Sequence, residues 1–141
     1  MPTSTAPQNV LYTAHVHTTG GREGRSRSDD GRLDIQLSSP GSSGAGTNPE
    51  QLFAAGWSAC FEGAMQLASR RLKIKLPDAV AVDAQVDLCL ADGSYFLQAR
   101  LKVSVPGVDR ASAQALIDAA HQTCPYSKLS RNNIHVEITL A

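Results

Sequence analysis

The chain is short of several things, and each shortage removes a class of explanation. Thirteen basic residues balance thirteen acidic ones, so no excess charge draws the protein broadly toward nucleic acid or an anionic membrane. The longest apolar-rich run, Leu52 to Met65, falls short of the roughly 20 residues a bilayer crossing needs, and it carries Glu62. The opening MPTSTAPQN lacks both the basic and the apolar regions of a secretory signal. A cytoplasmic location, with neither membrane nor nucleic acid as partner, is the expectation. Cysteine is scarce: Cys60, Cys89 and Cys124 are the only three. In a reducing compartment they do not make a structural disulfide framework, and any disulfide would be transient and chemical. CxxC, HExxH and carboxylate-rich loops are all absent. His15, His17 and His121 are therefore expected to be solvated or hydrogen-bonded rather than metal ligands, and no bound cofactor is expected.

What is present fits one soluble globular domain: 141 residues, 42% apolar and 18% charged, without internal repeats. Residues 1–9 read as a mobile arm and residues 10–141 as a single domain. Val10, Tyr12, Ala14 and Val16 alternate as one face of a strand, and Leu33, Ile35 and Leu37 as one face of a second. The glycine- and charge-rich stretch from Thr19 to Arg27 reads as a loop, as does Ser38 to Gly46. Thr47-Asn48-Pro49-Glu50-Gln51 is a helix start, with Asn48 as cap and Pro49 at the first helical position.

The helix that follows, to about Arg71, is apolar on nearly every side, so it should be buried all round. One sheet can cover only one of its faces, and the other implies a second subunit, hence a homodimer. Two alternating segments follow, 82–90 and 97–105, joined by a hairpin turn at Ala91-Asp92-Gly93-Ser94. Asp109 caps a second helix that must stop near Thr123, because Pro125 disfavours helical geometry at Cys124. A last strand carries Ile134, Val136, Ile138 and Leu140. The order ββαββαβ indicates an α+β domain of antiparallel-rich sheets around a long buried central helix.

Taken alone, Cys60, between Ala59 and Phe61, reads as a small core residue. Cys124 stands where a helix must stop, and Cys89 lies on the polar phase of its strand, where it reads as incidental. Cys60 is about three turns inside its helix, beyond effective reach of the helix dipole, and apolar surroundings would suppress its thiolate. A nucleophilic Cys60 would thus need a cation delivered to it. The glycine-hinged loop offers Arg22, with Arg25 and Arg27 nearby, and Glu50 could orient the guanidinium. The residues equally allow GGREGRSR to be a solvated turn and Glu50 a simple complement to the dipole.

Four blocks, Gly20-Gly21-Arg22, Thr47 to Gly56, Ser58-Ala59-Cys60-Phe61 and Ala120 to Ser127, resemble the signatures of the organic hydroperoxide resistance family, within the superfamily of the osmotically inducible protein C. The likeness runs from about Leu11 to the C-terminus. It implies an intertwined homodimer and reduction of alkyl and lipid hydroperoxides in oxidative-stress defence, with a dithiol such as lipoamide on a lipoylated protein as electron donor. Carried over by position, Cys60 is peroxidatic, Cys124 resolving, Arg22 the activating cation and Glu50 its orienting carboxylate. Trp57 stands where the family more often has tyrosine. Phe53, Trp57 and Phe61 are candidates either for an apolar substrate pocket or for plain core. The alternatives of another class are a non-enzymatic dimer that binds a lipid or similar ligand, and a thiol redox sensor.

Overall fold

A computed structural model describes residues 9–141; of the expected N-terminal arm, residues 1–8 lie outside them. The chain groups into two units, one ending at Asn48 and one running from Pro49 to Ala141.

The first unit is a three-stranded antiparallel sheet, β1 (Val16–Thr19), β2 (Arg25–Ser28) and β3 (Asp34–Gln36), in that order. The strand expected from Val10 onward begins only at Val16, and Val10, Leu11 and Tyr12 stand well exposed. Alternation supplies two faces, but a strand also needs a partner, and of this stretch β2 pairs only with residues 16–19. The expected loop at 19–27 is a 3₁₀ turn at Gly21–Glu23 followed by β2. Periodicity could not show this strand, because Arg25-Ser26-Arg27-Ser28 has no apolar face. Cross-strand polar bonds hold it instead: Thr18 and Ser26 hydroxyls meet at 2.7 Å, and Arg25 clasps Asp34 through two bonds of 2.8 and 2.7 Å. Gly20 (φ +76) and Gly24 make the turn, since a Cβ on Gly24 would stand 1.7 Å from the Thr19 carbonyl oxygen. Glu23 accepts hydrogen bonds from the Ser39 amide and hydroxyl.

In the second unit α1 (Pro49–Leu72) opens at the proline the sequence marks. Strands β4 (Ala81–Ala91) and β5 (Ser94–Ser104) form a long hairpin, and β6 (His135–Leu140) pairs with β5 in parallel. Asp92 (φ +52) and Gly93 (φ +75) are both left-handed, the combination a type I′ hairpin turn needs. Helix α2 (Arg110–Thr123) is capped as expected by Asp109, whose carboxylate accepts from the Ser112 amide at 3.0 Å. A short helix, α3 (Pro125–Ser130), was not expected; Pro125 at its first position is the sequence signal for it.

One face of the sheet buries Ala99, Leu101 and Val103 against Trp57, Phe61 and Met65 of α1 and Leu116, Ile117 and Ala120 of α2. The other carries polar side chains such as Arg100, which grips Asp87 through two hydrogen bonds and draws its carboxyl down to about 2. Within one chain, α1 buries a single stripe, Trp57, Phe61, Ala64, Met65 and Ala68, while Ala55, Ala59, Gly63 and Leu67 remain exposed.

Leu116→Ala should cost about 2–5 kcal/mol, because it empties a site with no exposed surface. Leu129→Ala, at 57% exposure, should stay within about 0.5 kcal/mol. Urea unfolding curves of the two variants measure the difference, and equal midpoints would show that the core is misplaced.

Candidate active site

Two helix ends and one helix middle converge on the thiols. Pro125 keeps Cys124 extended (φ −64, ψ 122), so this one residue both ends α2 and precedes α3. Its amide donates to the Ala120 carbonyl at 2.8 Å, and its carbonyl accepts from the Lys128 amide at 3.0 Å. The backbone is thus tied on both sides, and the side chain turns toward α1. There the Cys124 thiol meets Cys60 with sulfurs 3.2 Å apart; both are free thiols. A disulfide needs about 2.0 Å between sulfurs, so side-chain motion of little more than about 1 Å would close it.

The two thiols differ in access. Cys124 has no exposed surface, whereas Cys60 is partly open. Burial pushes the Cys60 thiol above its ordinary value. The Tyr126 backbone amide pulls the other way, and the neighbouring Cys124 thiol adds to the rise. Tyr126 and Ser127 are functional neighbours that reading the sequence for side-chain chemistry did not find, because Tyr126 acts through its amide and Ser127 from inside the core.

The α3 segment is fastened to α1 beside the thiols. The Trp57 indole donates to the buried Ser127 hydroxyl at 3.2 Å. Phe53 packs edge-on against both Trp57 and Tyr126, at 5.4 and 5.8 Å between ring centres. Of the three aromatic residues considered for a substrate pocket, Trp57 and Phe61 have no exposed surface and belong to the core cluster, while Phe53 is only partly buried. The indole's one polar atom is satisfied inside the protein, which lets Trp57 be buried whole.

Glu50 lies in the first turn of α1, roughly 15 Å along the axis from Cys60 at the α-helical rise. Arg22 lies in the 3₁₀ turn of the first unit. Arg25 is engaged by Asp34, and Cys89 sits on β4 with its sulfur 3.9 Å from the Asp87 carbonyl oxygen. His121, one turn before Cys124, departs from the expectation for the histidines. Its Nδ1 is buried with no hydrogen-bond partner among the described residues, and burial, followed by the charge of Arg131, lowers its pKa. Among the described residues no three His, Cys, Asp or Glu side chains are placed to hold a metal ion, and no helix is long and apolar enough to cross a membrane.

A mild oxidant at one equivalent should join Cys60 to Cys124 within a chain and leave Cys89 as a free thiol. Peptide mapping reads this directly, and a Cys89 disulfide in comparable yield would contradict the pairing.

Comparison with known proteins identifies the family. The sequence model of the OsmC-like protein family matches residues 39–139. An organic hydroperoxide resistance protein of Xanthomonas axonopodis pv. citri is 51% identical over 140 residues, covering 96% of this chain and 99% of that protein. The crystal structure of the organic hydroperoxide resistance protein OhrB of Bacillus subtilis superposes with a TM-score of 0.88 at 41% identity, covering 94% of this chain and all of that one. A crystal structure of an organic hydroperoxide resistance protein from Legionella pneumophila gives the same TM-score at 36% identity, covering 94% of this chain and 99% of its own. With its thiol pair, its α+β fold and these near full-length matches, the chain belongs to the organic hydroperoxide resistance family of the OsmC superfamily.

Proposed function

We propose that the protein is a thiol-dependent peroxidase that reduces organic hydroperoxides to alcohols, and the observation that carries this reading is the 3.2 Å approach of Cys60 and Cys124. The difference in access supports a division of roles. The partly open Cys60 is the thiolate that attacks one peroxide oxygen, and the fully buried Cys124 waits behind it. Attack breaks the O–O bond, the alkoxide takes up a proton and leaves as alcohol, and Cys60 becomes a sulfenic acid. Cys124 then attacks the sulfenic sulfur, water leaves, and the disulfide forms. An external dithiol of the lipoamide type, carried by a lipoylated protein, takes over the disulfide and frees both thiols. No bound cofactor enters this cycle.

Cys60 cannot be a ready thiolate on the strength of its own unit, since burial opposes its ionisation and one amide opposes burial. Arg22 is proposed as the cation that completes it, oriented by Glu50, because guanidinium can hold a thiolate and a peroxide oxygen in one plane. The distance from Glu50 to Cys60 along α1 favours a second copy of the chain as the source of the pair. A homodimer also accounts for the exposed small-residue stripe Ala55, Ala59 and Gly63 with Leu67, and for the exposed Val10, Leu11 and Tyr12. We assign the protein to the cytoplasm, where a dithiol reductant is sustained.

Steady-state consumption of cumene hydroperoxide with dihydrolipoamide tests the cycle. Fast turnover is expected, with weaker turnover of hydrogen peroxide and loss of both in Cys60→Ser. Absence of turnover, with all thiols still reduced, would favour a ligand-binding dimer. Stoichiometric disulfide formation that dithiol reverses only sluggishly would favour a redox sensor. Arg22→Ala should raise the apparent pKa of Cys60 by about one unit or more, the effect of removing a close opposite charge. The rate at neutral pH should then fall at least about tenfold. An unchanged pH–rate profile would remove Arg22 from the mechanism.

A further inference from the structure

We propose that Gly56 is a positioning residue for the reactive thiol: the space left by its missing side chain seats the Tyr126 ring, and that seat holds the first turn of α3 beside Cys60. The inference deepens the peroxidase reading and rests on Cys60 being its nucleophile.

A glycine in the middle of a 24-residue helix needs a reason, because alanine there would be more favourable by about 1 kcal/mol. Backbone geometry does not supply one, since Gly56 is not among the glycines of positive φ. Space does. A Cβ on Gly56 would stand 2.8 Å from the Tyr126 hydroxyl oxygen, 3.1 Å from Cζ and 3.6 Å from Cε1. Gly63, two turns further along the same helix, has nothing within 4 Å of the corresponding point.

The ring is not free to yield in every direction. Phe53 meets it edge-on at 5.8 Å, and Phe53 is itself braced by Trp57. The next residue, Ser127, is held by the Trp57 indole. Positions 53, 56, 57 and 60 share one face of α1 at three- and four-residue spacing. The first turn of α3 is therefore seated on this face by Phe53, Gly56 and Trp57, beside the fourth member, Cys60, whose sulfur lies 3.2 Å from that of Cys124 just before the turn. A displaced first turn of α3 carries the Tyr126 amide away from Cys60, and with it the backbone contribution that lowers the thiol pKa.

Within the second unit the Tyr126 amide from α3 favours ionisation of Cys60, while burial and the Cys124 thiol from the α2–α3 junction oppose it; the proposed Arg22 guanidinium is the charged group added to these. The β4 residues packed against the core from the other side, Val82, Ala84 and Val86, are apolar and contribute no charge. Donation to the thiolate favours it, so displacing the amide disfavours it.

The test is the pH dependence of iodoacetamide alkylation at Cys60, followed by mass spectrometry in the full-length protein, alongside the peroxide rate. Gly56→Ala should move the Cys60 alkylation midpoint upward by about half a unit or more and slow peroxide attack at neutral pH about threefold or more. The thermal midpoint should hold or rise, because helix propensity improves. Adding Tyr126→Phe, which deletes the atom at 2.8 Å, should bring the profile part of the way back. An unchanged profile in Gly56→Ala, or a double variant no closer to the parent than the single one, would overturn the proposal.

If Gly56→Ala does not fold, Gly56→Ala/Tyr126→Phe is compared with Tyr126→Phe, since the 3.1 Å approach to Cζ remains. The upward shift is expected there as well, and coincident profiles would overturn the idea. Alkylation requires no peroxide. A shifted profile in a parent protein that consumes no hydroperoxide would therefore defeat the peroxidase reading and leave the role of Gly56 standing.

Discussion

Proline 125 denies Cys124 a helical conformation, and the geometry around the thiols depends on that restriction. Without it α2 could run on through Cys124, and the side chain would follow the helical repeat. With it, one extended residue separates α2 from α3, and the Cys124 sulfur turns across to Cys60 at 3.2 Å. The interruption leaves no stranded polar groups at Cys124, because its amide still reaches Ala120 and its carbonyl still accepts from Lys128. A break in a helix is thus built as rigidly as the helix itself.

Around this junction the protein uses aromatic side chains as fasteners. Trp57 is fully buried, yet its indole nitrogen is bonded to Ser127, so a large apolar body secures the core while its polar edge fixes α3. Phe53 bridges Trp57 and Tyr126. The outcome is a thiol about three turns inside a helix, remote from that helix's dipole, whose local polarity comes from a separate short segment laid against it. Burial still outweighs that contribution, so the thiol pKa stays raised, and this is the reason a cation is included in the proposed mechanism.

The sequence was informative where burial and backbone chemistry wrote a period or a punctuation mark. Pro49 opened α1, Asp109 capped α2, and the Asp92–Gly93 pair placed the hairpin to the residue. It was silent where polar pairing does the holding: β2 is made of Arg25, Ser26, Arg27 and Ser28, whose cross-strand bonds leave no hydrophobic signature. It misled at Val10 to Val16, where alternation is present but β2 offers a partner only from Val16 onward. Of the site, Cys60 and Cys124 were legible through the blocks that carry them, and the structure brings that pair together. The Tyr126 amide was not legible, because backbone donors have no letter of their own; only Pro125, read as a helix start, could have pointed to it.

The double backbone tether of Cys124 has a consequence for how the protein experiences its own oxidation. Because that residue is tied on both sides, the small movement needed to join the sulfurs would fall chiefly on side-chain torsions, and an oxidised form could keep the same backbone. In the proposed cycle, recycling would need no refolding and no unlocking of a helix; a reductant would have only to approach the open side of Cys60. The chain behaves as a fixed frame with a moving latch, and the latch is two sulfur atoms.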